Sequence, residues 1–148
     1  MPNLIIGCGA RKRETPCPAW LLYRGPLFRA AYTWCRSVTP LRRIFILSAK
    51  HGLIPATTVI APYDVEMGTP AQVCTVASLT AQARQLGLDR GRPVLVNAGP
   101  PYQAVLAQAL PHYVLLLDHL HLPDPGSEGQ MQWFAQHYGQ LPRGLPTP

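Results

Sequence analysis

Four short apolar runs decide what this chain can become. Asn3 to Gly7, Arg43 to Ser48, Pro93 to Asn97 and Tyr113 to Leu117 are each five or six residues long, too short for a buried helix and bounded by turn signals. An unbroken apolar run lacks the alternation of a strand with one face in water, so these runs predict strands buried on both faces, as in a parallel sheet. Both faces then need covering, and the segments between the runs supply helices. Pro26 to Ser37 places Leu27, Ala30, Ala31 and Trp34 at helical spacing. Thr69 can cap a helix starting at Pro70, with Val73, Ala77, Leu79 and Ala83 towards the core and Gly87 near its stop. A further helix is expected from Pro101 to Leu110. Ser127 with Gln130 gives a capping-box pattern for a last helix through Tyr138.

Strand and helix alternate throughout, which predicts an α/β fold: a single open, doubly wound, mainly parallel sheet of about four to five strands with flanking helices. A chain of 148 residues with 47% apolar content is one domain with a real core, here 1–139, followed by a proline-containing tail, 140–148, expected to fray. The opening Met1-Pro2-Asn3 leads straight into a short apolar run, so export is not expected and a cytoplasmic location is. No apolar stretch approaches the roughly 20 residues of a membrane-spanning helix, so no membrane partner is expected. Cys8, Cys17, Cys35 and Cys74 form no Cys-x-x-Cys pair and read as thiols. Nothing in the sequence fixes an oligomeric state.

The net charge of +6 is unevenly placed. Nine basic residues lie between Arg11 and Lys50 against the single acid Glu14, which puts the positive field, and with it an anionic partner, on the N-terminal third. Phosphate is the expected anion, the plain alternative being a solvated basic surface. The chain also holds eleven Arg and only Lys12 and Lys50 as lysines. Lysine is the cation that can give up its proton when desolvated, so both positions become candidates for chemistry.

Ligands of open α/β sheets bind at the carboxyl ends of the strands. Those ends read Cys8-Gly9-Ala10-Arg11-Lys12, Ser48-Ala49-Lys50-His51-Gly52, Asn97-Ala98-Gly99-Pro100-Pro101-Tyr102 and Asp118-His119-Leu120-His121. Two loops, Ala10 to Gly25 and Leu53 to Thr69, are longer than such turns need, and long loops in compact domains are usually functional. The first turn, with Gly9 and with Arg11, Lys12 and Arg13 beside it, can cradle phosphate or carboxylate; it does not follow the Walker pattern. The second places a hydroxyl, an amine and an imidazole on one turn, and Pro62-Tyr63-Asp64-Val65-Glu66 follows on the returning loop. Lys50 with Asp64 can carry proton transfers, or the two can form an ion pair that braces the loop. Tyr23 or Tyr63 can stack on a base. Asn97 and Gly99, with Tyr102, can bring backbone N–H groups to an anion. His119 and His121 make half a metal site without a third ligand, so neither a metal nor another cofactor is expected.

The stretch Leu47-Ser48-Ala49-Lys50-His51-Gly52-Leu53-Ile54-Pro55, closing with Ile60-Ala61-Pro62-Tyr63-Asp64-Val65-Glu66-Met67-Gly68, resembles the signature of the YaaA peroxide-stress proteins. There a Leu-Ser-x-x-Tyr-Gly turn leads to Pro-Tyr-x-x-Glu-Met-Gly; His51 stands here where Tyr is usual, and the chain is much shorter. Cys8-x-x-x-Lys12, with Pro18-Ala19, Leu22-Tyr23 and Pro26-Leu27-Phe28, is similar to small bacterial and phage relatives of YaaA, and more faintly to the Cys-x-x-x-Lys segment of archaeosine synthase. The resemblance implies an α/β protein that binds DNA or handles a nucleobase.

Residues and resemblance together give three expectations. The first is an enzyme acting on a nucleobase or its N-glycosidic bond, in nucleic acid, DNA before RNA, or in a nucleotide. Its catalytic candidates are Lys50, Asp64, Lys12 and Cys8. Its binding candidates are Gly9, Arg11, Arg13, Tyr23, Ser48, His51, Gly52, Tyr63, Glu66, Asn97, Gly99 and Tyr102. The second is a non-catalytic DNA-binding stress protein, and the third a metal-dependent hydrolase using His119 and His121.

Overall fold

A computed structural model describes residues 1–146. All four apolar runs become strands of one five-stranded sheet. Its strands are β1 (Asn3–Gly7), β3 (Ile44–Ser48), β4 (Gly52–Pro55), β6 (Val94–Asn97) and β7 (Tyr113–Leu115), in the order β4-β3-β1-β6-β7. β1, β3, β6 and β7 run parallel, and β4 returns antiparallel to β3. The run at Tyr113 stops being a strand two residues early, because Leu116–His119 tightens into a 3-10 turn. Two more short strands, β2 (Cys17–Pro18) and β5 (Val59–Ile60), make a separate antiparallel pair. The helices are α1 (Ala19–Leu22), α2 (Pro26–Val38), α3 (Val76–Gln85), α4 (Pro100–Ala109) and α5 (Ser127–Gln136).

Successive strand residues point to opposite faces, and the core divides accordingly. Leu4, Ile6, Ile44, Ile46 and Leu95 pack with residues of α1, α2 and α5, including Trp34, Trp133 and Phe134. Ile5, Phe45, Leu47, Val94 and Val96 pack with Leu79 and Ala83 of α3 and Leu106 of α4. Both faces are thus covered, which is why these strands carry no polar alternation.

Three sequence expectations are corrected. The helix expected from Pro70 begins at Val76: Thr75 accepts from the Ser78 amide while the Ser78 hydroxyl receives the Thr75 amide, a reciprocal cap that Thr69 lacks. Val73 and Ala77 are consequently exposed, while Leu79 and Ala83 are buried as expected. Ser127 is the first helical residue of α5 rather than its cap. Gly126 occupies the cap, its amide held by Asp124 Oδ1 and the Gln130 side chain reaching back to the Pro125 carbonyl. The tail is fastened over 140–146. Trp34 Nε1 donates to the carbonyls of His137 and Gln140, Pro142 is buried, and Leu145 packs against the core. The rest of the expected frayed tail, residues 147 and 148, lies outside the described residues. No helix among them is long and apolar enough to cross a membrane.

Candidate functional site

The two long loops are hooked to each other. Cys17 pairs with Ile60 and Pro18 with Val59, and the Ala19 and Trp20 amides donate to the carbonyls of Thr58 and Ala56. A bridge between Lys12 and Tyr23 folds the first loop back on itself. These ties carry Tyr23, Tyr63 and Lys12 to the carboxyl ends of β1 and β3, where the strand-end rule places a ligand.

Ser48 is fully buried, and its Oγ accepts from the amides of Lys50 (3.1 Å) and His51 (3.0 Å). Both lone pairs are then used, so the Ser48 hydroxyl donates to Tyr63 Oη at 2.6 Å. Tyr63 in turn donates to Tyr23 Oη at 2.5 Å, leaving the Tyr23 proton for the Cys8 side. Burial first, and then the neighbouring Cys8, hold the phenols of Tyr23, Tyr63 and Tyr102 far above the ordinary tyrosine value. All three therefore stay protonated and act as hydrogen-bond donors, not as bases. Tyr102 Oη lies 3.1 Å from Cys8 Sγ and donates to the Cys8 carbonyl, also at 3.1 Å. The Lys12 ammonium sits 4.5 Å above the centre of the Tyr63 ring and donates to the Ala10 carbonyl at 3.2 Å.

The turn between β3 and β4 is a three-residue hairpin loop closed by Gly52 at φ +72°, the left-handed position that such loops give to glycine. Gln82 of α3 pins it from outside: Oε1 accepts the Leu53 amide and Nε2 donates to the His51 carbonyl, each at 2.9 Å. His51 packs edge-on to Tyr63, and its Nε2 is buried without a partner. Burial and the neighbouring Lys50 charge lower its pKa, keeping the imidazole neutral.

Two cavities meet at Cys8 and Gly9. The larger, about 460 Å³, opens between the carboxyl ends of β1 and β6. Gly25-Pro26 and Gly99-Pro100, the starts of α2 and α4, bound it together with Asn97 and Gln103. The smaller, about 190 Å³, is lined by Cys8, Gly9, Lys12, Asp64, Glu66 and Tyr102 among others. Nine of the sixteen candidates, Cys8, Gly9, Lys12, Tyr63, Asp64, Glu66, Asn97, Gly99 and Tyr102, thus line a cavity or support Lys12 from below.

The other candidates take different places. Lys50 and Asp64 form no ion pair: among the described residues the one salt bridge joins Arg84 to Asp89. Asp64 lines the smaller cavity, whereas Lys50 lies exposed on the hairpin turn, its ammonium 5.9 Å from the Tyr63 ring centre. Tyr23 is fully buried against Phe28, so it cannot stack on a base. Ser48, His51 and Gly52 build the hairpin. Arg11 is exposed and lines neither cavity; Arg13 is exposed too and spends its Nε on the Leu21 carbonyl. His119 closes the 3-10 turn instead of extending towards His121, so the alternation that would align them is lost. No group of three His, Cys, Asp or Glu suited to a metal ion occurs among the described residues.

Sequence reasoning missed Gln82 and Gln103, whose Nε2 donates to the Ala98 carbonyl at 2.8 Å, and it missed Gly25. Gly25-Pro26 carries a legible signal, a proline in the first turn of a helix; the glutamines carry none, since their partners are set by tertiary contact.

A model described as a family of unknown function (DUF6884) matches residues 4–136. No curated protein and no solved structure matches the chain.

Proposed function

Because the chain belongs to the DUF6884 family of unknown function, its activity has to be read from the site, and we propose an enzyme acting on a nucleobase, by N-glycosidic cleavage or base modification, in nucleic acid or a nucleotide. The observation that carries this reading is the meeting of two unlike cavities at Cys8 and Gly9. The larger offers backbone N–H groups of Leu27 and Phe28 at the start of α2 and of Gly99 ahead of α4, a setting for phosphate; Pro100 and Pro101 carry none, and the Tyr102 and Gln103 amides donate to the Gly99 carbonyl. The smaller offers an amine, a thiol, a phenol and two carboxylates, a setting for proton transfer. A nucleotide has the same two ends. We also read the sheet as doubly wound, which puts the larger cavity at the point where the strand order turns back at β1.

For cleavage, a carboxylate of Asp64 or Glu66 takes a proton from water, and the hydroxide joins the anomeric carbon. The bond to the base nitrogen breaks, its electron pair leaves with the base, and the Lys12 ammonium returns a proton to that nitrogen. The same carboxylates steady the cationic sugar in between. Lys50 moves out of the proton-transfer role it was given on sequence grounds, and Tyr63 serves as the support under Lys12 rather than as a stacking platform. The likeness to the YaaA proteins belongs to this proposal, as do the cytoplasmic setting and the preference for DNA. In support of that likeness, Ser48 and Tyr63, one from each half of the motif, share the 2.6 Å hydrogen bond.

The test is mass-spectrometric detection of free or altered base after incubation with nucleosides, nucleotides, and intact or damaged DNA and RNA. Product from the wild type and from Lys50→Ala, lost in Lys12→Ala and in the Asp64→Asn, Glu66→Gln double variant, supports the assignment. No product from any substrate overturns it and leaves the non-catalytic DNA-binding reading.

A further inference from the structure

Parallel pairing brings together charges that the sequence keeps apart. The strand register sets Leu4 beside Ile44 and Asn3 beside Val94. Arg42 and Arg43, just before β3, and Arg92, just before β6, therefore arrive at the same end of the sheet on either side of Asn3. The turn at Gly87 adds Arg90, whose guanidinium lies over the Gly87 backbone. These four arginines, with Asn3, Phe45, Leu86 and Gly87, line a cavity of about 410 Å³ that includes no acidic residue. Arg42, Arg90 and Arg92 are exposed; Arg43 is half-buried and reaches Asn3 Oδ1 at 3.5 Å. None of the four has a carboxylate partner among the described residues. The positive field expected on the N-terminal third thus extends to residues 90 and 92, at the end of the sheet opposite the two cavities described above.

We propose that this cluster is a nucleic-acid docking site that holds the phosphodiester backbone. A bound anion relieves the mutual repulsion of four guanidiniums, and the planar guanidinium pairs two N–H groups with phosphate oxygens. One phosphate ester carries at most two negative charges, which two arginines balance. Four arginines around one open cavity match successive phosphates instead, contacts that position a polynucleotide without reading its bases. A five-residue strand spans roughly 16 Å, so a nucleoside seated at the carboxyl ends cannot reach these arginines. The inference therefore does not rest on the proposed reaction.

Fluorescence anisotropy of a labelled DNA oligonucleotide, single-stranded and duplex, against a salt series tests the proposal. Relative to wild type, Arg42→Gln with Arg92→Gln is expected to weaken binding roughly tenfold or more at low salt. It should also flatten the logarithmic salt slope by about 2 for duplex, near 0.9 for each phosphate that is no longer neutralised. Arg84→Gln, an exposed arginine that does not line the cavity and pairs with Asp89, is the control. Binding by the double variant within twofold of the wild type, or a weakening no greater than that of Arg84→Gln, overturns the site. Displacement of the oligonucleotide by equimolar tripolyphosphate overturns it in favour of a small polyphosphate ligand. Base release from free nucleosides should be the same in the double variant and the wild type. Absence of release in both removes the proposed reaction and leaves the docking site standing.

Discussion

Replacing Gly52 by Ala tests how the hairpin under the candidate site is held. Gly52 sits at φ +72°, and a Cβ there costs about 1–2 kcal/mol for the left-handed backbone alone. That Cβ would also overlap Gln82 Oε1, so the Gln82 side chain must leave. The Leu53 amide, in a residue only 2% exposed, then loses its acceptor. A buried donor left unpaired costs about 1–3 kcal/mol, and the sum with the backbone cost is about 2–5 kcal/mol. For a chain of this size that lowers Tm by roughly 10 °C, which calorimetry or urea titration reads directly. Gln82→Ala alone should cost about 1–3 kcal/mol, the hydrogen-bond share. Added to Gly52→Ala it should cost almost nothing, because Gln82 has already been expelled. A loss below about 1 kcal/mol for Gly52→Ala, or a Gln82→Ala penalty equal in both backgrounds, would refute the reasoning.

Two further outcomes follow from the same cluster. Tyr63→Phe keeps the ring beneath Lys12 but strands the buried Ser48 hydroxyl, and should cost about 1–3 kcal/mol in urea denaturation; a neutral effect would show that the hydroxyl chain is not formed. His51 has a folded pKa below its unfolded value, so the unfolded chain binds the proton more tightly. Its contribution is present above about pH 6.5 and is lost as pH falls towards the folded pKa. The drop in Tm from neutral to mildly acidic pH should therefore be smaller in His51→Gln, and equal drops in the two proteins would exclude His51 as its source.

Much of the fold was legible because the signals were local. Ile44–Ser48 is buried at every residue and reads as a strand without reference to anything distant. Pro26 marks a helix start by chemistry that belongs to the first turn, and the helix expected from Pro101 begins one residue earlier, at Pro100. The start of α3 misled because two threonines competed, and the outcome depended on which one had a reciprocating serine three residues on. The edge strand Gly52–Pro55 went unseen, since a glycine and a proline at its ends read as loop until β3 is there to pair with it.

The sequence by itself determined which residues stand at the carboxyl ends of the strands, because unbroken apolar runs are the pattern of a mainly parallel sheet covered on both faces and the strand-end rule then follows. It brought Cys8 with Lys12, Asp64 and Tyr102 into consideration on three separate segments. Only the tertiary structure decided that these four share a cavity while Lys50 does not, and that Arg42 and Arg43 meet Arg90 and Arg92. The hydrogen bonds responsible join residues far apart in the chain: Tyr23 to Tyr63, Gln82 to His51 and Leu53, and Cys8 to Tyr102. Local periodicity sets which way a side chain faces. Strand register and the path of each crossover set what it faces, and both are properties of the assembled sheet.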